Sequence, residues 1–366
     1  MTLFLHDERT LWHGGGHYAG LFPVSSTVQP MPGGLPENPE TKRRMVNLMR
    51  VTGLMADLTE RSAAPLGRED LLRVHPADYL DRFEAMSARG GGELGLRTPF
   101  GPDGHAIAAL SAGLAADALE AVLRGEAPNA YALTRPPGHH CLPDWPNGFC
   151  LLANIPLAVE RARARGLLSR VAVIDWDVHH GNGTEAIYIA DPDVLTISLH
   201  QERNYPVDTG GAEVRGEGAA EGANVNLPLP PGAGHVTYLR AWDRIVRPAL
   251  DRFEPEAIVI ACGFDAAILD PLGRMLATAE TFDALAARAM EAADALCGGR
   301  LMMAHEGGYA AEYVPFCGHA VLARMAGSAV AAPDPYGDVF ALRQPSDALD
   351  RLHEGWLADL AEAHNL

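Results

Sequence analysis

The chain has 366 residues, 48% hydrophobic content and a formal net charge of −18 at pH 7. Such a composition suits a globular protein with a substantial core. The acidic balance excludes the basic face that a nucleic-acid binder needs. Length alone leaves one large domain or two open. Lys42 is the only lysine, so nearly all positive charge is arginine, a bias read here as codon usage. The five cysteines, Cys141, Cys150, Cys262, Cys297 and Cys317, form no C-x-x-C pair. They read as buried apolar thiols in a reducing cytoplasm. The N-terminus shows no basic region followed by an apolar core, and no uninterrupted apolar stretch reads as long enough to span a bilayer. The expectation is a cytoplasmic protein with neither nucleic-acid nor membrane partners.

In chain order, residues 3–5 read as a first strand and 13–34 as a long loop rich in Gly and Pro. Residues 41–58 carry helical periodicity, 71–74 read as a short strand and 76–86 as the next helix. A loop over 90–104 leads to an Ala/Leu-rich helix over 107–123 that ends near Gly125. Further helices are predicted at 155–165, 184–189, 236–253 and 279–296, with a polar Gly-rich surface loop at 210–222. Residues 347–362 form a last amphipathic helix, with Leu349, Leu352, Trp356 and Leu360 on one stripe. Apolar runs at 130–134, 171–174, 194–199, 257–261 and 301–304 read as buried strands. Strands alternating with helices predict an α/β fold, a mostly parallel sheet with helices on both faces. No repeat or low-complexity linker interrupts the chain, so residues 1–366 read as a single domain on which the last helix packs.

Those five strands end in the chain's polar chemistry: Arg135-Pro136-Pro137-Gly138-His139-His140, Asp175-Trp176-Asp177-Val178-His179-His180-Gly181, His200, Cys262-Gly263-Phe264-Asp265, and His305-Glu306-Gly307-Gly308-Tyr309. Ligands of open parallel sheets bind outside the carboxyl ends of the strands. In an extended segment Asp177 and His179 point the same way, and Asp265 can complete the set. Two carboxylates and one imidazole suit Zn²⁺ with a coordination position left for water and substrate. Asp175 reads as an orienting carboxylate behind a ligand, or as part of a monovalent-cation site. Amide hydrolysis needs a base for the water proton and an acid for the leaving nitrogen. His140 reads as the main proton shuttle and His139 as its electrostatic partner. Tyr309, after a Gly-Gly pair, can polarise a carbonyl, and Phe149 and Tyr205 read as the walls of a narrow channel for an aliphatic stem.

The motifs R-P-P-G-H-H, D-W-D-V-H-H-G-N-G, G-F-D, D-P-L-G and E-G-G-Y together resemble the zinc-dependent histone deacetylase superfamily, within the arginase–deacetylase fold. The similarity runs from about Asn38 to Gly318, and its wording resembles the class II branch, especially bacterial histone deacetylase-like amidohydrolases. The resemblance implies that Asp177, His179 and Asp265 hold one zinc, that His139, His140 and Tyr309 are catalytic, and that Gly148 and Phe149 line the acyl channel. It implies a structural potassium ion at Asp175, Ser198 and Leu199. Asn182 stands where class I members carry aspartate, which leaves His140 less biased toward its charged form. Tyr205 replaces the usual phenylalanine and is expected to make the channel more polar. Leu272 replaces the glutamate of members that prefer acetylated polyamines.

The implied activity is hydrolysis of an acetyl-amide of the N-acetyl-lysine type, in a protein, a peptide or a small acetyl-amide, with acetylpolyamine hydrolysis as the alternative. A two-manganese ureohydrolase would need aspartates where Gly181 and Ala267 stand. A non-catalytic acyl-lysine binder predicts the loss of a ligand or of Tyr309. The resemblance leaves homo-oligomerisation open.

Overall fold

The computed structural model describes residues 1–14 and 35–366, with the backbone of two paired two-residue strands, His17–Tyr18 and Phe22–Pro23. Most of the loop expected over 13–34 therefore lies outside the described residues.

Eight strands form one sheet: β1 (Thr2–Leu5), β2 (Leu58–Arg61), β3 (Asn129–Ala132), β4 (Val171–Asp175), β5 (Val194–Gln201), β6 (Asn224–Leu229), β7 (Ala257–Cys262) and β8 (Leu301–His305). Their order is β6-β5-β4-β7-β8-β3-β1-β2, and every neighbouring pair is parallel. Alternate strand residues enter opposite cores. Val171 and Val173 join one apolar cluster, while Ala172 and Ile174 join the other. That two-sided burial is why the strands read as continuous apolar runs rather than alternating ones. Each fully buried Val, Ile or Leu stabilises the fold by about 1.5–3 kcal/mol.

Helices Ala77–Ala88, Gly104–Leu123 and Asn154–Ala164 cover one face of the sheet. Glu40–Thr52, Ala279–Cys297 and Val314–Ala326 cover the other, with the continuous run from His235 to Phe253, which has a π turn at Trp242–Val246. Helix Ala279–Cys297 has sharp ends. Thr278 and Thr281 bond reciprocally at its start, and Gly298 takes a left-handed φ of 63° after it.

Several sequence expectations need correction. The helix expected over 41–58 stops at Thr52, because Gly53 turns the chain with φ 90°, and Leu58 already belongs to β2. Residues 71–74 are no strand: a one-turn helix, Arg68–Leu71, runs into a turn. The amides of Leu72, Arg73, Val74 and His75 bond back to carbonyls three or four residues earlier, which an extended run cannot do. A small antiparallel ribbon, Gly92–Glu93 with Pro99–Phe100, lies inside the expected 90–104 loop. Strand β6 and helix Val314–Ala326 were not anticipated.

Helix Gly104–Leu123, though interrupted by Asp117 and Glu120, is long and apolar enough by composition to cross a bilayer, but it is mostly buried inside the fold against Asn154–Ala164. In the last helix, Asp347–Ala363, the buried stripe is rotated from the expected one. Leu349 and Leu352 are 47% and 69% exposed, while His353, Leu357 and Leu360 are buried. The cause is polar: His353 bonds Thr237 at 2.9 Å, and His364 bonds the Asn226 carbonyl at 2.9 Å.

Candidate active site

The carboxyl ends of β3, β8, β7 and β4 are contiguous in the sheet, and the loops leaving them build one site. From β4 and β7 come Asp177, His179 and Asp265, all buried, with one ligand atom each lying within 4.8 Å of the others. His179 Nδ1 is 3.0 Å from Asp177 Oδ1 and 3.0 Å from Asp265 Oδ2.

Backbone amides hold the other oxygens. Gly307 N donates to Asp177 Oδ2 at 2.7 Å, and Val178 N donates to Asp265 Oδ1 at 2.7 Å. Asp265 Oδ2, fully buried, has no hydrogen-bond partner among the described residues despite its nearness to His179. An orphaned buried carboxylate oxygen is costly unless something binds it. Burial and Asp177 push Asp265 up to about 6, while against burial the two carboxylates lift His179 to about 10. The group is built to hold positive charge and fits a divalent cation taking two carboxylates and one imidazole. Gly263 and Gly307 form its cradle, since a Cβ on Gly307 would run into the Asp265 and Asp177 carboxylates.

The turn after β3 presents His139 and His140 with ring centroids 3.9 Å apart. His139 Nδ1 donates to Asp175 Oδ2 at 2.9 Å. Burial would depress His139, but Asp177 and Asp175 outweigh it and hold the imidazole well above its usual range. His140 differs. Burial, then the positive charge of His139 and His179, keeps it well below the usual value, and its Nδ1 lies 2.7 Å from Asn182 Oδ1. Asn182 cannot supply the full negative charge that an aspartate would, in keeping with the sequence reading of this position.

After β8, Gly308 takes φ 126° and turns Tyr309 toward the site, its ring 6.3 Å from His179 and 5.9 Å from Phe149. A cavity of about 530 Å³ opens here, lined by His140, Gly148, Phe149, His179, Tyr205, Leu272 and Tyr309, with Glu93 and Arg97 also on its wall. The structure thus brings together all the expected ligand, catalytic and channel residues. Asp175 and Ser198 sit in register on β4 and β5, with Leu199 next along β5. Ser198 Oγ is 3.0 Å from His200 Nδ1 and accepts from Gly181 N at 3.4 Å.

The expected polarity of Tyr205 needs correction: its hydroxyl donates to Asn147 Oδ1 instead of facing the channel unpaired. Cys141 and Cys150 are buried, and burial pushes both thiols up, which removes any thiolate character.

Three supporting groups escaped the sequence reading. Glu306 Oε2 accepts from Gly138 N at 2.7 Å and His139 N at 3.1 Å, fixing the histidine turn from below. Burial pushes its carboxyl up to about 7. Asp270 Oδ2 accepts from Tyr309 N and its Oδ1 from Leu272 N, at 2.7 and 2.9 Å. Glu37 joins Arg135 and Lys42 in a buried ionic cluster, with Arg135 Nε and Lys42 Nζ each 3.0 Å from Glu37 Oε1. Glu306 and Asp270 stand inside quoted motifs, but only their contacts reveal what they hold.

Residues 35–325 match the family model described as histone deacetylase domain. A histone deacetylase-like amidohydrolase of Pseudomonas aeruginosa is 53% identical over all of this chain and 96% of its own length. A probable deacetylase of Archaeoglobus fulgidus is 37% identical over 90% of this chain and 93% of its own. The crystal structure of the HDA15 HD domain superposes with a TM-score of 0.80 at 32% identity, covering 100% of this chain and 97% of that one. A sheet, a site and a sequence that agree over the full length leave one assignment: the chain belongs to the histone deacetylase family.

Proposed function

We propose that the protein hydrolyses the acetyl-amide of N-acetyl-lysine with one zinc ion per site, releasing acetate and a free amine. The observation that carries this reading is the convergence of Asp177, His179 and Asp265 beside a cavity that His140, His179 and Tyr309 line. Asp177, His179 and Asp265 would hold the zinc, which when bound supplies Lewis acidity toward a carbonyl and a lowered pKa for coordinated water.

The chain's own residues supply the rest. With Nδ1–H engaged by Asn182, His140 keeps the Nε2 lone pair for the cavity and takes the proton of the attacking water. The same nitrogen then returns the proton to the departing amine. His139, held charged by Asp177 and Asp175, stabilises the negative charge that develops nearby. Tyr309 donates its hydroxyl to the oxyanion.

Asp175, Ser198 and Leu199 would hold a structural potassium ion. Residues 1–366 act as one catalytic domain, in the cytoplasm. Lysine rather than a polyamine is favoured because Leu272, which lines the cavity, offers no charge to attract a polycation, and Arg97, which lines it too, would repel one. Glu93 on the same wall works against that preference and makes the comparison worth measuring.

The test is turnover of an acetyl-lysine peptide against acetylputrescine by zinc-loaded protein, with an EDTA-treated control. Faster turnover of the peptide, abolished by EDTA, supports the reading. A strong preference for acetylputrescine, or full activity in EDTA, overturns it.

A further inference from the structure

Tyr205 is fixed at both ends, and its two anchors lie on different loops. Its carbonyl accepts from His180 N at 3.1 Å, in the loop that carries the ligand His179. Its hydroxyl donates to Asn147 Oδ1, on the opposite side of the channel, two residues before Phe149. The Asn147-to-Cys150 turn is itself strained into position: Gly148 and Phe149 have φ of 51° and 70°. Gly148 N and Phe149 N donate to the carbonyls of Leu96 and Arg97 at 3.0 and 2.9 Å. The Arg97 guanidinium lies 5.3 Å from the Tyr205 ring centroid. A Cβ on Gly148 would come within 3.0 Å of the Tyr205 ring and strike His140, so that ring rests directly on the opposing turn.

We propose that the Tyr205–Asn147 hydrogen bond is a latch between the two walls of the channel, holding them at one separation so that only a thin, unbranched stem reaches the catalytic residues. Phenylalanine at this position would give a wall of the same shape with no tie to the facing turn. The hydroxyl therefore acts on the width of the channel. Tyr205 and Asn147 are positioning residues in this scheme, and the effect is a thickness filter on the substrate stem. The inference rests on the hydrolytic reading above for its main assay.

The experiment compares kcat/KM for an acetyl-lysine peptide with that for a matched peptide whose stem carries a cyclohexane ring in place of the central methylenes. Tyr205→Phe and Asn147→Ala are each expected to raise the thick-to-thin ratio about tenfold, the scale of one to a few methylenes in a fitted pocket. Asn147→Asp keeps an acceptor oxygen and should stay near the parent ratio. The double variant Tyr205→Phe/Asn147→Ala should do no more than either single change, as expected for two ends of one bond.

A readout free of turnover is the ratio of the two peptides' Kd values by calorimetry in a Tyr309→Phe background, where removing the Tyr205 hydroxyl should move the ratio the same way. A ratio within twofold of the parent in Tyr205→Phe, or additive effects in the double variant, overturns the latch. If the parent protein hydrolyses acetylputrescine and neither peptide, the lysine reading fails by itself. The latch is then read from the acetamides of n-pentylamine and cyclohexylmethylamine by the same criterion.

Discussion

Glu37 offers the sharpest energetic test of how the histidine turn is held. Its carboxylate is 3% exposed and sits between two cations that are equally buried, Arg135 and Lys42. Arg135 also donates to the carbonyls of Thr10 and His13 at 3.0 and 2.7 Å, so the cluster ties the start of the R-P-P-G-H-H turn to the N-terminal segment. Glu37→Gln removes the charge and keeps one acceptor oxygen. With both contacts at 3.0 Å, each Coulomb pair is worth roughly 5 kcal/mol at an effective dielectric of 20. Desolvation of the ions offsets much of that, and breaking a buried pair from one side costs about 3–5 kcal/mol because the partners stay buried and uncompensated. That is the expected loss in equilibrium urea unfolding at pH 7.

The pH dependence has a definite sign. Burial opposes ionisation of Glu37, but Arg135 and Lys42 outweigh it and hold the carboxyl well below the usual carboxylate range. Its stabilisation is therefore complete above the unfolded-state value and declines as pH falls below it. With an unfolded glutamate titrating near pH 4.3, the gap between parent and Glu37→Gln should narrow by about 1 kcal/mol between pH 6 and pH 3.5. A variant within 1 kcal/mol of the parent at pH 7, or a gap that does not change over that range, would refute the reasoning.

Three further outcomes are expected. Asp270→Asn places an amide donor against one of the two N–H groups its carboxylate now accepts. It should lower kcat by about 100-fold through misplacement of Tyr309, with little change in KM, and an unchanged kcat would dismiss the role. Gly307→Ala drives a Cβ into the Asp177 and Asp265 carboxylates. Purified protein should then carry far less than one zinc per chain by elemental analysis while folding normally, and full metal loading would contradict the cradle. Because His140 must be neutral to accept a proton and is held well below its usual value, activity should fall with acid only below pH 6.5. An acid limb of the kcat/KM profile centred at or above pH 7 would count against His140 as the base.

Much of this architecture was legible in the residues alone. Buried parallel strands must be apolar on both faces, so β3, β4, β5, β7 and β8 announce themselves as apolar runs, and the polar residues that end them mark the site. Asp177, His179 and Asp265 were readable as a candidate cation site from residue type and strand position, and the fold brings their ligand atoms together. Where the chain is amphipathic or short the pattern misled. Residues 71–74 look extended but coil into a turn, and the last helix and its C-cap bury His353 and His364 where Leu349 and Leu352 were expected to go inward. A helical pattern gives the period of the buried face, but its phase depends on the partners that neighbouring elements offer. Thr237 and the Asn226 carbonyl offer polar ones.

Local sequence therefore determined which side chains could do the chemistry and where along the chain the strands end. Tertiary structure alone decided which carboxylates support them. Glu37, Glu306 and Asp270 act through contacts with residues 98, 167 and 39 positions away, and the Tyr205 hydroxyl through one 58 positions away. The physical reason is range. Periodicity and turn chemistry act over a few residues, whereas a buried charge or hydroxyl is satisfied by whichever group the fold carries to within 3 Å of it.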